Sequence, residues 1–246
     1  MEYILDTHTH TVASGHAYST IREMAQMASK KGLKLLGITE HAVKMPGTCQ
    51  EFYFENLRVL PRQMYGVELL FGVELNILDS LGTVDMQEEM LKKMDVVVAS
   101  LHTPCISPGT KDENTQAVVE TMKNPYVNII GHPDDSRYPL DYEVIVKSAK
   151  KYHVLLEVNN SSLTPGGIRT NALSNDREML LLCKEHKVPI IVNSDAHFDE
   201  DVGNHQYAEQ LLNSLDFPEE LIMNKSVNKF RSFLNKNKII ESTLLY

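Results

Sequence analysis

Seven short apolar runs punctuate this chain of 246 residues, at Tyr3–Asp6, Leu33–Ile38, Leu69–Ile77, Val96–Ala99, Val127–Ile130, Val154–Val158 and Pro189–Asn193. Each is too short to be an ordinary helix, and most are continuous rather than alternating. That pattern marks strands buried on both faces, as in a parallel sheet. Parallel neighbours need a crossover between them, normally a helix. Helical signals fill the gaps. Thr20 with Glu23 has capping-box spacing ahead of Met24, Met27 and Ala28. Asp85 with Glu88 predicts a short helix through Met94, and Asn114–Met122 predicts another. Asp141 opens Tyr142–Tyr152, Asn175 with Glu178 opens Met179–His186, and His205–Leu215 and Pro218–Leu234 follow. Seven strand–helix units without a linker or repeat predict one α/β domain over residues 1–246.

The strand ends decide between a barrel and an open sheet. The first run closes on Asp6-Thr7-His8-Thr9-His10, with His16 in the loop beyond. The second closes on Thr39-Glu40-His41, and the third carries Gly72-Val73-Glu74-Leu75-Asn76. The next three end in Ser100-Leu101-His102, Gly131-His132-Pro133 and Glu157-Val158-Asn159-Asn160; the last ends in Asn193-Ser194-Asp195-Ala196-His197. Of ten histidines, seven sit at or just past a strand C-terminus; His153, His186 and His205 lie on or beside helices. An open sheet would string these groups along a line. A (β/α) barrel gathers them at one mouth, where such folds keep their catalytic residues. The barrel requires the first and seventh strands to lie side by side.

Imidazole is the commonest protein metal ligand, and two histidines two residues apart on a strand point the same way. A lone histidine after a strand is ordinarily a satisfied loop residue, and Asp195-Ala196-His197 alone could be a turn. Their concentration at one mouth points to a metal site. Seven imidazoles with Glu74 and Asp195 exceed what one ion can use, and a bridging carboxylate would suit three ions. Imidazole-rich ligation favours zinc, with manganese or iron as substitutes, and disfavours an all-oxygen magnesium site.

Composition removes other classes. A formal net charge of −9 with no lysine/arginine run argues against an extended nucleic-acid interface. Cys49, Cys105 and Cys183 are odd in number and widely spaced, which predicts reduced thiols rather than a disulfide framework or a cysteine zinc module. The N-terminal stretch lacks a basic region and a long apolar core, and no segment is apolar for long enough to span a bilayer. The expected compartment is the cytoplasm. Oligomeric state is left open, a homo-oligomer included.

The strand-end motifs, in this order and spacing over nearly the whole chain, resemble those of the PHP (polymerase and histidinol phosphatase) superfamily, closest to stand-alone bacterial phosphatases of the YcdX type. The resemblance implies a distorted seven-stranded (β/α) barrel with a trinuclear centre at the strand C-terminal mouth. It implies one ion on His8, His10, Glu74 and Asp195, a second on His16, His41 and His197, and a third on His102, His132 and the bridging Glu74. Glu40 stands where aspartate often precedes the histidine, a change expected to tune the site rather than to remove metal.

The expected chemistry is hydrolysis of small phosphomonoesters by a metal-bound hydroxide, with His8, His10, Glu74, Asp195 and His197 acting through the ions. Arg169, beside Gly166-Gly167-Ile168, could fork onto phosphate, and Asn160 could orient substrate; the plain alternatives are a solvated arginine and a turn-closing amide. A phosphodiesterase is the nearest rival. An amidohydrolase is disfavoured because no strand-end lysine is present, and a non-catalytic metal-binding module because the ligand set is complete. The loops Met45–Tyr53, Pro104–Asp112 and Ser161–Arg169 would select the substrate, expected to be a small phosphorylated molecule.

Overall fold

The computed structural model describes residues 3–234. Its strands are β1 (Leu5–Asp6), β2 (Leu35–His41), β3 (Gln63–Met64), β4 (Val67–Asn76), β5 (Val97–Ser100), β6 (Ile129–Ile130), β7 (Leu155–Asn159) and β8 (Ile190–Asn193). All seven expected strands are present. They pair in parallel in the order β1-β2-β4-β5-β6-β7-β8, while β3, which the apolar pattern did not mark, forms an antiparallel hairpin with β4. The helices are α1 (Ile21–Lys30), α2 (Glu51–Asn56), α3 (Glu88–Leu91), α4 (Lys111–Met122), α5 (Tyr142–Tyr152), α6 (Ala172–His186) and α7 (Gln206–Ser214).

The sheet curls until its first and last strands meet, giving the nearly closed, distorted (β/α)7 barrel. Thr9 bridges Ala196 in parallel, the His10 amide donates to the Ala196 carbonyl (2.8 Å), and the Asp195 amide to that of His8 (3.0 Å). Lower down, no ladder joins β1 to β8, and a side chain takes its place. Asn224 Nδ2 donates to the carbonyls of Leu5 (3.0 Å) and Val192 (2.6 Å), and its Oδ1 accepts from the Val192 amide (2.8 Å). Removing this amide leaves three buried backbone groups unpaired. Asn224→Ala is therefore expected to lower unfolding free energy by roughly 2–4 kcal/mol, read by denaturant titration; a loss under about 0.5 kcal/mol, the level of an ordinary surface change, would show that the seam does not depend on it.

The period-two alternation divides the barrel interior into an apolar floor and a polar mouth. Leu5, Leu35, Val96, Val98, Ile129, Leu155 and Ile191 form the floor, closed from below by Met223, Phe230, Phe233 and Leu234. One or two inward positions further up, β5, β7 and β8 present Ser100, Glu157, Asn159 and Asn193, joined by Glu74 of β4, all buried. The barrel is pinched at Gly37, where a Cβ would lie 2.8 Å from the Thr7 Cα. A second packing shell, between strands and helices, holds the other apolar strand residues against Met24, Ala28, Val118, Ile145, Met179 and Leu180.

The helix starts show where local signals were overruled. Thr20 and Glu23 form the expected capping box, and a second, Thr110 with Glu113, starts α4 three residues before Asn114. Asp85 caps no helix. Its carboxylate accepts from the amide and side chain of Asn76 and from the Lys44 amide, and Gln87 occupies the N-cap of α3. Helix α6 begins at Ala172, and Asn175, inside it, spends its side chain on the Asp134 carbonyl rather than on a cap. The expected helix Pro218–Leu234 is two 3-10 turns, Glu219–Leu221 and Met223–Lys225, followed by helix at 227–234. No helix among the described residues is long and apolar enough to cross a membrane.

Candidate metal centre

All nine strand-end groups reach one mouth. His8 and His10 follow β1, His41 ends β2, Glu74 lies in β4, and His102, His132, Asp195 and His197 follow β5, β6 and β8. His16 arrives from the loop after the 3-10 turn Val12–Ser14. Glu74 is the hub. Its Oε1 is 3.3 Å from His8 Nε2, 3.2 Å from His102 Nε2 and 3.0 Å from His132 Nε2. Its Oε2 is 2.7 Å from His41 Nδ1 and 3.4 Å from His10 Nε2. Asp195 Oδ1 lies 3.3 Å from His10 Nε2 and 3.7 Å from His8 Nε2. His16 Nε2 is 3.2 Å from His41 Nε2, and its ring centroid is 5.0 Å from that of His197. Two of the nine sit in left-handed backbone, Asp195 at φ 54° and His132 at φ 30°. Each such non-glycine conformation costs about 1–3 kcal/mol and persists where surrounding contacts impose it.

The hydrogen bonds on the far side of the rings set what these nitrogens can do. Ser14 Oγ touches Glu40 Oε2 (2.6 Å), the His41 amide (3.1 Å) and His10 Nδ1 (3.1 Å). Its one proton goes to the carboxylate, so His10 must donate from Nδ1 and present a lone pair at Nε2. Asn76 uses its Nδ2 on Asp85, which leaves its Oδ1 to accept from His102 Nδ1 (2.8 Å). His8 Nδ1 faces Glu157 (2.8 Å), and His197 Nδ1 faces the Asp195 carbonyl (3.0 Å). Four imidazoles thus turn Nε2 inward; His10 and His102 present lone pairs there, facing carboxylate oxygens that are also acceptors, and His8 Nε2 faces the same carboxylates. His8 Nε2, His10 Nε2, His41 Nδ1 and Glu74 Oε2 are buried with no hydrogen-bond partner among the described residues. Leaving such atoms bare costs about 1–3 kcal/mol each. Acceptors facing acceptors need a cation between them, and the donor set of imidazole and carboxylate fits a zinc-like ion.

The electrostatics agree. Burial opposes charge on Glu74 and Asp195, yet the surrounding histidines, joined at Asp195 by Arg169, hold both well below the usual carboxylate range. Burial lowers the pKa of His102 to about 4 and so favours its neutral, ligating form; on His8 burial is outweighed by Glu157, Glu74 and Asp195, which raise its pKa well above the usual value, so a proton competes there with a metal ion for the same carboxylates. Among the described residues, ligand atoms within 4.8 Å of one another form three groups: His10, His41 and His197; His8, His10 and Glu74; and His41, Glu74 and His102. These groups share members and do not divide the side chains ion by ion.

The model of the PHP domain family matches residues 6–164. The chain belongs to the PHP domain family. It is 48% identical over 240 residues to a probable phosphatase of Clostridium novyi (strain NT), covering 97% of this chain and 98% of that protein. It is 46% identical over 245 residues to a probable phosphatase of Clostridium botulinum (strain Langeland), covering 99% and 100%. Among solved structures it is similar to the histidinol phosphate phosphatase of Lactococcus lactis subsp. lactis, crystallised with zinc, L-histidinol and phosphate. That likeness has a TM-score of 0.62 at 18% identity over 88% of this chain and 95% of the other, and it speaks to the fold.

Around the mouth of this PHP barrel lies a second ring of side chains, and its centre, Glu157, was not singled out in the sequence. Glu157 Oε1 accepts from His8 Nδ1 (2.8 Å) and Asn193 Nδ2 (2.8 Å), and Oε2 from the His132 amide (2.7 Å) and Asn159 Nδ2 (2.9 Å). The available signal was a carboxylate inside the apolar run Leu155–Val158, where an unpaired charge would be prohibitive. Glu40 stays behind the ring, held by Thr11, Ser14 and Tyr53.

Arg169 is largely buried, not solvated. Its NH1 donates to Ser162 Oγ (3.0 Å), and NH1 and NH2 both reach Asp195 Oδ2 (3.3 Å). Asn160 commits its Oδ1 to the Tyr207 (2.9 Å) and Ala208 (3.2 Å) amides, which start α7, while lining the mouth. The mouth opens into a cavity of about 740 Å³ lined by His16, His41, Glu74, His102, His132, Asp195 and His197 on its floor and by Arg137, Arg169, Asn160 and Tyr207 on its wall. His8 and His10 lie fully buried beneath it.

Proposed function

We propose that this protein is a metal-dependent phosphatase that hydrolyses small phosphomonoesters, with residues 1–246 as one catalytic domain. The nine side chains His8, His10, His16, His41, Glu74, His102, His132, Asp195 and His197 would hold three divalent ions, with zinc the best match to the donor set and Glu74 the bridge. The observation that carries the reading is the inward set of buried, unpartnered imidazole nitrogens around Glu74, directly beneath a cavity walled by arginine. The full-length similarity to proteins named probable phosphatases supports the same activity. Such ions, when bound, lower the pKa of water and offset phosphoryl charge.

The chain supplies orientation. Glu157, Ser14 and Asn76 set the tautomers of His8, His10 and His102 and lock the rings in place. Arg169, fixed against Asp195, is placed to donate to a phosphoryl oxygen from the β8 side. Phosphoryl transfer is governed by positioning and electrostatics, so no protein nucleophile is needed. Three divalent ions against two carboxylates leave the centre net positive, as a phosphate dianion requires.

Protein purified without chelator should carry close to three metal ions per chain and turn over members of a broad phosphomonoester panel. His8→Ala and Asp195→Ala should lose that turnover while staying folded by circular dichroism. Metal near zero would indicate a non-catalytic module. Faster turnover of a diester than of its monoester would move the assignment to a phosphodiesterase.

A further inference from the structure

We propose that the cavity wall binds a second anionic group of the substrate through Arg137, so that the preferred substrates carry a carboxylate or another phosphate besides the phosphoryl group removed. This rests on the phosphatase reading above and names its substrate class.

Arg137 is built differently from Arg169. It follows β6 in the loop 131–138, and its guanidinium lies edge-on to Asp135, with Nε 2.9 and 3.0 Å from the two carboxylate oxygens and NH2 2.6 Å from Oδ2. The Arg137 amide also donates to Asp135 Oδ1 (3.0 Å), so carboxylate and guanidinium are locked in one turn. Asp135 is buried, whereas the Arg137 side chain is 37% exposed, enough to meet a ligand. A guanidinium has five N–H bonds. The Asp135 pairing takes the one on Nε and one of the two on NH2, and NH1 makes no hydrogen bond among the described residues. An open donor edge is thus held rigidly on the cavity wall.

Among the described residues no acceptor pairs with that edge. Of the other carboxylates lining the cavity, Glu74 is surrounded by histidines and Asp195 pairs with Arg169. Asp201 forms no ion pair with either arginine among the described residues. Arg169 is close enough for its charge to oppose that of Arg137. Each arginine already pairs with one carboxylate, so what an anion in the cavity would meet is the donor edge that Arg137 keeps open. The first arginine is tied to the Asp195 side of the centre, so the second is free for a group elsewhere on the substrate. A cavity of about 740 Å³ has room for such an organic anion beyond orthophosphate.

The test uses non-hydrolysable phosphonates and calorimetric binding to the zinc-loaded, full-length protein. Ethylphosphonate supplies one anion, 2-aminoethylphosphonate adds a cation, and 3-phosphonopropionate and propane-1,3-bisphosphonate add a carboxylate or a second phosphonate. At least one of the last two should bind roughly 10-fold or more tightly than ethylphosphonate, the usual gain of a charge-assisted contact, and the amine no better than ethylphosphonate. The tighter arm identifies which anion is preferred. Arg137→Gln should erase the advantage while leaving ethylphosphonate affinity and metal content unchanged. Equal binding of one- and two-anion ligands by the unaltered protein overturns the proposal. An advantage that survives Arg137→Gln does so too, since the second anion would then sit on the metal. If none of the four phosphonates binds, the phosphatase reading fails first.

Discussion

Glu74→Gln is expected to empty the centre. The substitution keeps the shape of the side chain and removes its charge, replacing one acceptor oxygen by an NH2 donor. In the native structure the two oxygens face His8, His10, His41, His102 and His132 between 2.7 and 3.4 Å, and Ser100 Oγ donates to Oε1 at 2.7 Å. With glutamine, the ions that these groups would hold lose the carboxylate proposed to bridge them. Bound metal should fall from about three to one or fewer per chain, and kcat/KM on the best phosphomonoester should fall by roughly three orders of magnitude or more. Metal analysis and steady-state kinetics on the same preparation read both numbers. Full metal content with near-native turnover would remove Glu74 from the centre and with it the proposed bridge.

Glu157→Gln should act through His8. The carboxylate accepts four hydrogen bonds, from His8 Nδ1, the Asn193 side chain, the His132 amide and the Asn159 side chain. A glutamine can still accept on one oxygen, but its NH2 must then face a pair of donors. Metal affinity should weaken roughly 10- to 100-fold, the usual consequence of losing the group that orients a ligating histidine. Stability of the metal-free protein should drop by about 2–4 kcal/mol, because buried donors lose their acceptor. The two readouts separate the roles: competition with a chromophoric chelator measures affinity, and denaturant unfolding without metal measures the fold. An unchanged metal affinity would assign Glu157 to the barrel alone.

The strands and their ends were legible because their causes are local. A continuous apolar run followed by histidine is a statement about burial along one strand, and parallel strands deliver such ends to one mouth. The helix starts were less so. Asp85 and Asn175 both carry cap chemistry, but each is recruited by a tertiary partner, Asn76 for one and the Asp134 carbonyl for the other. Arg169 illustrates the same limit from the other side. Beside Gly166-Gly167-Ile168 the sequence leaves a phosphate fork and a solvated arginine equally open, and it takes Ser162 and Asp195 to draw the guanidinium inward.

By itself the sequence determined a parallel α/β barrel, its strand order of polar ends and the nine side chains that gather at the mouth, since residue type and period-two alternation decide which groups face inward and where a strand stops. Only the tertiary structure decided how those groups are used. The seam closed by Asn224, the carboxylate of Glu157 behind His8, the tautomers set by Ser14 and Asn76, and the open edge of Arg137 each join atoms held by different segments of the fold or by the shape of a turn. Hydrogen bonding is directional and short-ranged, so partners distant along the chain, or angled by a turn, become visible only once the backbone has placed them.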